Sequence, residues 1–352
     1  MLTATASAQK TWEGDVSTDY NTSGNWDGGQ PGFGQTVVFD DTATSFTVTA
    51  DGEAKAMSFP VFSNSTNDYV FNNTNASGDY FNMYNAGDGS TLSKTGSGMV
   101  TFNSDVKFYD INFDKTFTGA GTGRMVFNGN ILPETSTNGL VFDSTMGWTA
   151  EFNGTWDLPG VDPVTQNGGT VLINGKADFA WNNQTWALNG GTLGGTGSIV
   201  MGNATSGSVL VNGGTLAPGQ SVGTFSIGAV GETANLNLTS GTYEFEMGAS
   251  SNDLVNVTGD LDIHGGTFSI LDAGIASTGL YDLMTYTGSF SGDLTNASLS
   301  LGGDLDGTLV HNAGDQKIQL DVTVIPEPST MVLLSMGLLV MGGQKLLRRR
   351  RR

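Results

Sequence analysis

The tripeptide Gly-Gly-Thr occurs at Gly168, Gly190, Gly213 and Gly265, each time just ahead of an apolar or alternating run: Val171-Leu172-Ile173, Leu193, Leu216 and Phe268-Ser269-Ile270. The intervals are 22, 23 and 52 residues. A turn followed by a short strand at such a period is one coil of a β-solenoid, and the long interval equals nearly two coils with a small insertion. The physics of the phrase agrees with this. Glycine lets the backbone take positive φ at a corner, and the asparagines beside it tolerate the same geometry and can form side-chain ladders between coils.

Composition supports an all-β chain. Glycine makes up 52 of 352 residues, and Asn, Thr and Ser are abundant. Glycine costs about 1 kcal/mol per helical position, and the other three favour strands and turns. With 9% aromatic residues the chain has apolar surface enough to offset ordering entropy, unlike a Gly/Ser linker. No cysteine is present, which excludes disulfides, zinc-thiolate sites and thiol catalysis. The net charge of −20 becomes −25 without the six bases and one acid from Pro326 onward. So acidic a surface repels nucleic acid.

Alternation predicts strands with one dry and one wet face. Tyr243, Phe245 and Met247 alternate with Glu244 and Glu246, and Ile318, Leu320, Val322 and Val324 alternate with Lys317, Gln319, Asp321 and Thr323. A β-sandwich is the competing architecture, but it would show longer strands without the Gly-Gly-Thr period. Residues 11–90, with Trp12, Trp26 and Phe33 among turn formers, read as a capping β region. Residues 91–322 read as the solenoid. Residues 1–10 end in Ala6-Ser7-Ala8 and read as the remnant of a signal-peptide cleavage region, whose basic and apolar parts would lie upstream.

The phrases Leu92-Ser93-Lys94-Thr95-Gly96-Ser97-Gly98, Asn189-Gly190-Gly191-Thr192-Leu193-Gly194-Gly195-Thr196-Gly197 and Asn212-Gly213-Gly214-Thr215-Leu216-Ala217-Pro218-Gly219 resemble the autotransporter-associated β-strand repeat. The resemblance covers about residues 90–290 and implies a right-handed parallel β-helix. The stretch after it reads as a helix rather than as an autotransporter's membrane barrel, so it implies a different export route.

That stretch, 323–352, holds Pro326-Glu327-Pro328, an apolar run from Met331 to Gly343, and Arg348, Arg349, Arg350, Arg351 and Arg352. From Ser329 to Leu347 a helix would span roughly 28 Å, close to a hydrocarbon core of ~30 Å. Lys345 can snorkel, and the five arginines act as a cytoplasmic stop signal that leaves everything upstream outside. The order of features resembles the PEP-CTERM sorting signal, also labelled an ice-binding protein C-terminal domain. The resemblance implies that Pro326, Glu327 and Pro328 are read by exosortase, a membrane protease, which releases or transfers the chain to the surface or to exopolysaccharide. An ordinary tail anchor, with the prolines as stiff spacers, is the plainer reading of the same residues.

Catalysis finds little support. No Gly-x-Ser-x-Gly, His-Glu-x-x-His or phosphate-loop motif occurs, and His264 and His311 sit in turn-like sequence. Parallel β-helices also house polysaccharide lyases and hydrolases, which resemble one another in clustered carboxylates with Arg or Lys. Here Arg124 is the only arginine before the tail, and the carboxylate pairs are Asp40/Asp41, Asp260/Asp262 and Asp304/Asp306. Asp260 and Asp262 point to one face of a strand and can take Ca²⁺, with a solvated edge as the plainer reading. Thr47-Val48-Thr49 and Thr116-Phe117-Thr118 are ice-binding-like fragments that do not recur at coil spacing. The expectation is therefore an exported, non-catalytic surface or matrix protein without a cofactor. Its partners would be an exosortase-type protease, extracellular polysaccharide and, through the tail, the cytoplasmic membrane. A polysaccharide-degrading enzyme and an ice-binding protein are the alternatives.

Overall fold

The computed structural model describes residues 9–324, apart from 33, 51–56, 74–78, 85–89, 110–113, 133–138, 158–162, 180–183, 202–206, 276 and 303–304. Each turn of the chain lays one short strand into each of three sheets, so that strands three apart in sequence become hydrogen-bonded neighbours. The result is a parallel β-solenoid of about 10 turns, with sheets of 12, 11 and 11 strands. Parallel pairing of this kind excludes the sandwich. It is present from the first strands, where Lys10 and Thr11 align with Val37 and Val38, and these in turn with Pro60 and Val61.

The Gly-Gly-Thr phrase opens strands of the second sheet. Thr149, Thr170, Thr192, Thr215, Thr242 and Thr267 align in one column, and Ser298 follows. The 52-residue interval contains two coils, the intermediate one carrying Ser240-Gly241-Thr242 in place of Gly-Gly-Thr. From Thr170 to Thr267 the glycine before each of these threonines takes positive φ: 66° at Gly169, 74° at Gly191, 66° at Gly214, 100° at Gly241 and 91° at Gly266. That conformation turns the corner, and any Cβ would strain it.

Inward positions stack apolar side chains along the axis. Phe71, Phe102, Phe127 and Phe152 lie ring on ring, with centroid separations of 4.4, 5.2 and 4.9 Å, and Trp156 continues the pile at 4.3 Å. Parallel in-register strands repeat about every 4.8 Å, which is why identical rings can stack without a gap. Farther along, Leu193, Leu216, Val255, Val257, Leu236, Leu238 and Ile263 fill the same core, all at most 1% exposed. Two corners carry the expected amide ladders. Asn72, Asn103, Asn128, Asn153 and Asn174 form one, with bonds of 2.8 to 3.0 Å, and Asn167, Asn189 and Asn212 form the other.

The two ends differ. At the start, Trp12, Tyr20 and Trp26 are at most 2% exposed. Trp26 meets both other rings edge to face, at 5.2 and 4.9 Å, and its Nε1 donates to the Tyr20 carbonyl at 2.9 Å. At the other end the third sheet changes direction: Lys317–Val324 runs antiparallel between Gly279–Tyr286 and Asp306–Asn312. The expected alternation holds for Ile318, Leu320 and Val322, all at most 1% exposed, and for Tyr243, Phe245 and Met247. Two expectations are corrected. Gln319 is 6% exposed rather than wet, because its amide bonds Asp282 at 2.7 Å. His311 lies within strand Asp306–Asn312 rather than in a turn, its Nε2 2.9 Å from the Tyr286 hydroxyl and its ring 3.9 Å from that of Phe290.

Among the described residues no helix is long and apolar enough to cross a membrane. The expected transmembrane helix, Pro326, Glu327, Pro328, Arg348–Arg352, Asp304 and most of the signal-peptide remnant lie outside the described residues.

Candidate processing junction and outer faces

The last described strand is held on both sides. Its Lys317 ammonium lies 2.7 Å from the Asp282 carboxylate, which holds the ammonium's pKa above its usual value, and Val324 closes the ladder opposite Asp306. Pro326 follows two positions later. A proline has no N–H to give to a strand ladder. The candidate processing motif is thus joined to the folded solenoid with almost no spacer.

The nominated carboxylates are occupied by backbone and hydroxyl donors. Burial opposes the charge of Asp41, but the N–H groups of Ser65, Thr66 and Asn67, at 2.8 to 3.1 Å, outweigh it and hold its pKa below the usual value. Asp40 accepts from the Thr42 N–H at 2.8 Å and hydroxyl at 2.6 Å. Asp260 accepts from the Ser289 N–H at 2.7 Å, while Asp262 bonds the Ser291 hydroxyl and the exposed His264 Nε2. Asp41, Asp260 and Asp262 thus brace one coil against the next, while Asp40 closes its own turn. Among the described residues no group of three His, Cys, Asp or Glu could hold a metal ion.

Arg124 is committed as well. It pairs with Glu151 at 2.5 Å on the outside of the second sheet. The same carboxylate accepts from Asn174 at 3.0 Å and from Gln220 at 3.2 Å. The segment after Pro218 therefore lies back across this face. A small solvent-open depression lies elsewhere, between Met57, Pro60, Met83, Leu92 and Phe108. Its lining holds Lys115 but no carboxylate, so none of the acid pairs opens onto it.

Three features were not nominated from the sequence. The first is the threonine column, whose only signal was the Gly-Gly-Thr repeat itself. It is one residue wide: two positions along each strand stand Glu151, Leu172, Gly194, Ala217, Glu244 and Ser269. The second is Lys94, the lysine of the Leu-x-Lys-x-Gly-x-Gly phrase, which is fully buried. Its ammonium donates to the carbonyls of Gly96 and Gly98, at 2.9 and 2.5 Å, and burial pushes its pKa down to about 8. The third is a charged group on the third sheet, where Lys176 bridges Asp178 at 2.7 Å and Glu232 at 3.1 Å. Beside it, burial and then the charge of Asp178 raise the pKa of Asp157.

No curated protein matches the chain. A family model does match its end: residues 324–352 fit the PEP-CTERM protein-sorting motif, starting on the final residue of the last solenoid strand. The chain carries a PEP-CTERM sorting signal, and that signal marks it as an exported protein, transiently anchored in the membrane and sorted by exosortase.

Proposed function

We propose that the solenoid is the cargo of this signal: a non-catalytic structural or adhesive protein of the cell surface or extracellular matrix, whose polar faces bind exopolysaccharide. The observation that carries the reading is the junction. Because the motif begins on Val324, everything from the aromatic cap to the terminal hairpin stands upstream of the processing point. Six residues separate Val324 from Met331. At about 3.3–3.6 Å each they reach ~20 Å at most, so the terminal hairpin would stand close to the membrane until the tail is cut.

The outer faces support a passive role. The threonine column and the asparagine ladders give them a stiff, largely polar surface suited to many weak hydrogen bonds with sugar hydroxyls. The parallel crossovers and the Gly-Gly-Thr coils are compatible with a right-handed helix and with the autotransporter-associated repeat. Pro326, Glu327 and Pro328 would be the residues read by the protease, and Arg348–Arg352 would remain on the cytoplasmic side.

The test is Glu327→Ala in the native host. Loss of the processed form with accumulation of full-length protein in membranes is expected; unchanged processing would count against recognition of the motif. Glycan-array binding by the released form tests the ligand class. Turnover of an acidic polysaccharide would instead point to an enzyme, with the group around Lys176, Asp178 and Asp157 as the first place to mutate.

A further inference from the structure

We infer that strand Asp306–Asn312 is a self-association edge, by which two copies join end to end through their C-terminal ends. The strand is the last of the third sheet, and among the described residues its only backbone partner is Lys317–Val324 on one side. Edge strands in the first turns are treated differently. Thr47–Ala50 is covered by the chain before it, the Tyr20 N–H donating to Thr49 and the Thr49 N–H to Thr18. Tyr80–Tyr84 receives the Met57 N–H at Asn82. Asp306–Asn312 is seven residues long, contains neither lysine nor proline, and has one acid, at its first position. A bulge between Asp306 and Gly307 interrupts its first position, and from Gly307 to Asn312 it carries no acid, lysine or proline to keep the edge from pairing.

Three observations favour a second copy over an unrelated peptide. In a two-fold antiparallel pair, a register centred on Leu309 matches the regular stretch Gly307–His311 with its copy, beyond the bulge at Asp306. It sets Gly307 opposite His311 and Thr308 opposite Val310, and opposes no like charges. Next to the strand, Phe290, Leu294, Leu299, Leu301 and Leu309 are only partly buried where they pack on the core. A single peptide strand would cover the edge alone. A second solenoid end would cover those side chains too. Finally, both strands that meet at this edge belong to the third sheet, so pairing continues that sheet from one molecule into the other without a change of fold. The net negative charge of each copy opposes the contact, so salt should strengthen it.

The experiment uses the full chain in neutral detergent, by sedimentation equilibrium. Wild type is expected at twice 36.7 kDa, more completely at 0.5 M than at 0.05 M NaCl. In the centred register residue 308 of one copy faces residue 310 of the other. Thr308→Lys with Val310→Lys should therefore give monomer, Thr308→Glu with Val310→Glu likewise, and a mixture of the two should recover the dimer. Because the chain has no cysteine, Leu309→Cys gives an independent reading: facing Cα atoms at about 4.5–5.5 Å lie within disulfide range. It should cross-link under air oxidation, whereas Val230→Cys, fully exposed on a distant turn, should not. A monomeric wild type without cross-linking at Leu309→Cys would overturn the inference. So would a dimer that persists in the lysine variant, since that places the contact in the tail.

Discussion

The solenoid begins and ends in opposite ways. At its start, Trp12, Tyr20 and Trp26 close the core from water completely, and neighbouring backbone covers the edge strands. At its finish a hairpin covers the core only in part, the edge strand Asp306–Asn312 has a backbone partner on one side alone among the described residues, and the chain runs on into its sorting signal. A stack of coils is indifferent to its own length, so something must say where it stops. Here large aromatic rings do so at one end. The other end is built to connect, first to a membrane tail and then, by our inference, to another copy.

The largest test of this contrast is a pair of truncations. Trp26→Ala removes a buried indole with three edge-to-face partners, Trp12, Tyr20 and Phe39, and should cost about 3–5 kcal/mol. Phe290→Ala, half-buried at the other end, should cost about 1 kcal/mol. Urea unfolding followed by tryptophan fluorescence measures both. Equal losses would erase the distinction between a sealed and an open end.

Next in size is Lys94→Met, which leaves the carbonyls of Gly96 and Gly98 without their buried donor and should cost about 1–3 kcal/mol. This lysine also gives the early turns a signature in pH. Its folded pKa of about 8 lies below the ordinary 10.5, so between those values the unfolded chain holds the proton and the folded one does not. Stability from this group therefore rises as pH climbs from about 8 to 10.5. Thermal melts across that range should lose the rise in Lys94→Met.

The late turns carry the opposite slope. Burial pushes Asp253, which accepts from the Gly223 and Glu246 N–H groups at 2.7 Å, up to about 6. The folded state then keeps a proton that the unfolded state has released, so stability from this group falls as pH rises from about 3.8 to 6. Asp253→Asn should flatten that window and leave the alkaline one unchanged. The smallest effect expected is at the corner ladder. Asn128→Ala breaks its bonds to Asn103 and Asn153 at a solvent-exposed position and should cost about 0.5–1.5 kcal/mol. A loss above that range would mean that the ladder, not the ring stack, holds the early coils.

How far the sequence foretold this depends on the residue. The coil period was legible because positive φ at Gly169, Gly191, Gly214 and Gly266 is written as glycine. The coil within the 52-residue interval was expected from its length, but its phrase at Gly241 escaped notice because serine stands for the first glycine. The asparagine ladders were foreseeable in kind, since asparagine at a corner repeats one coil later. Lys94 was not, because a lysine in a polar phrase reads as exposed, and only the closed corner shows two carbonyls waiting for a donor. His311 misled for a related reason. The glycines and polar residues around it read as a turn, yet antiparallel pairing with Lys317–Val324 makes a strand of them. Asp260 and Asp262 drew attention as Ca²⁺ ligands, but pairing along the axis brings them to Ser289 and Ser291 on the next coil, which sequence neighbours cannot reveal.

The measurement that bears most directly on the central claim is the intact mass of the protein recovered from the culture medium and from the membranes of its own host. A medium form that retains the solenoid through Val324 and lacks the arginine tail, beside a full-length membrane form, is the predicted result. A chain found only in membranes and only at full length would contradict it, and would make the terminal hairpin a permanent neighbour of the bilayer.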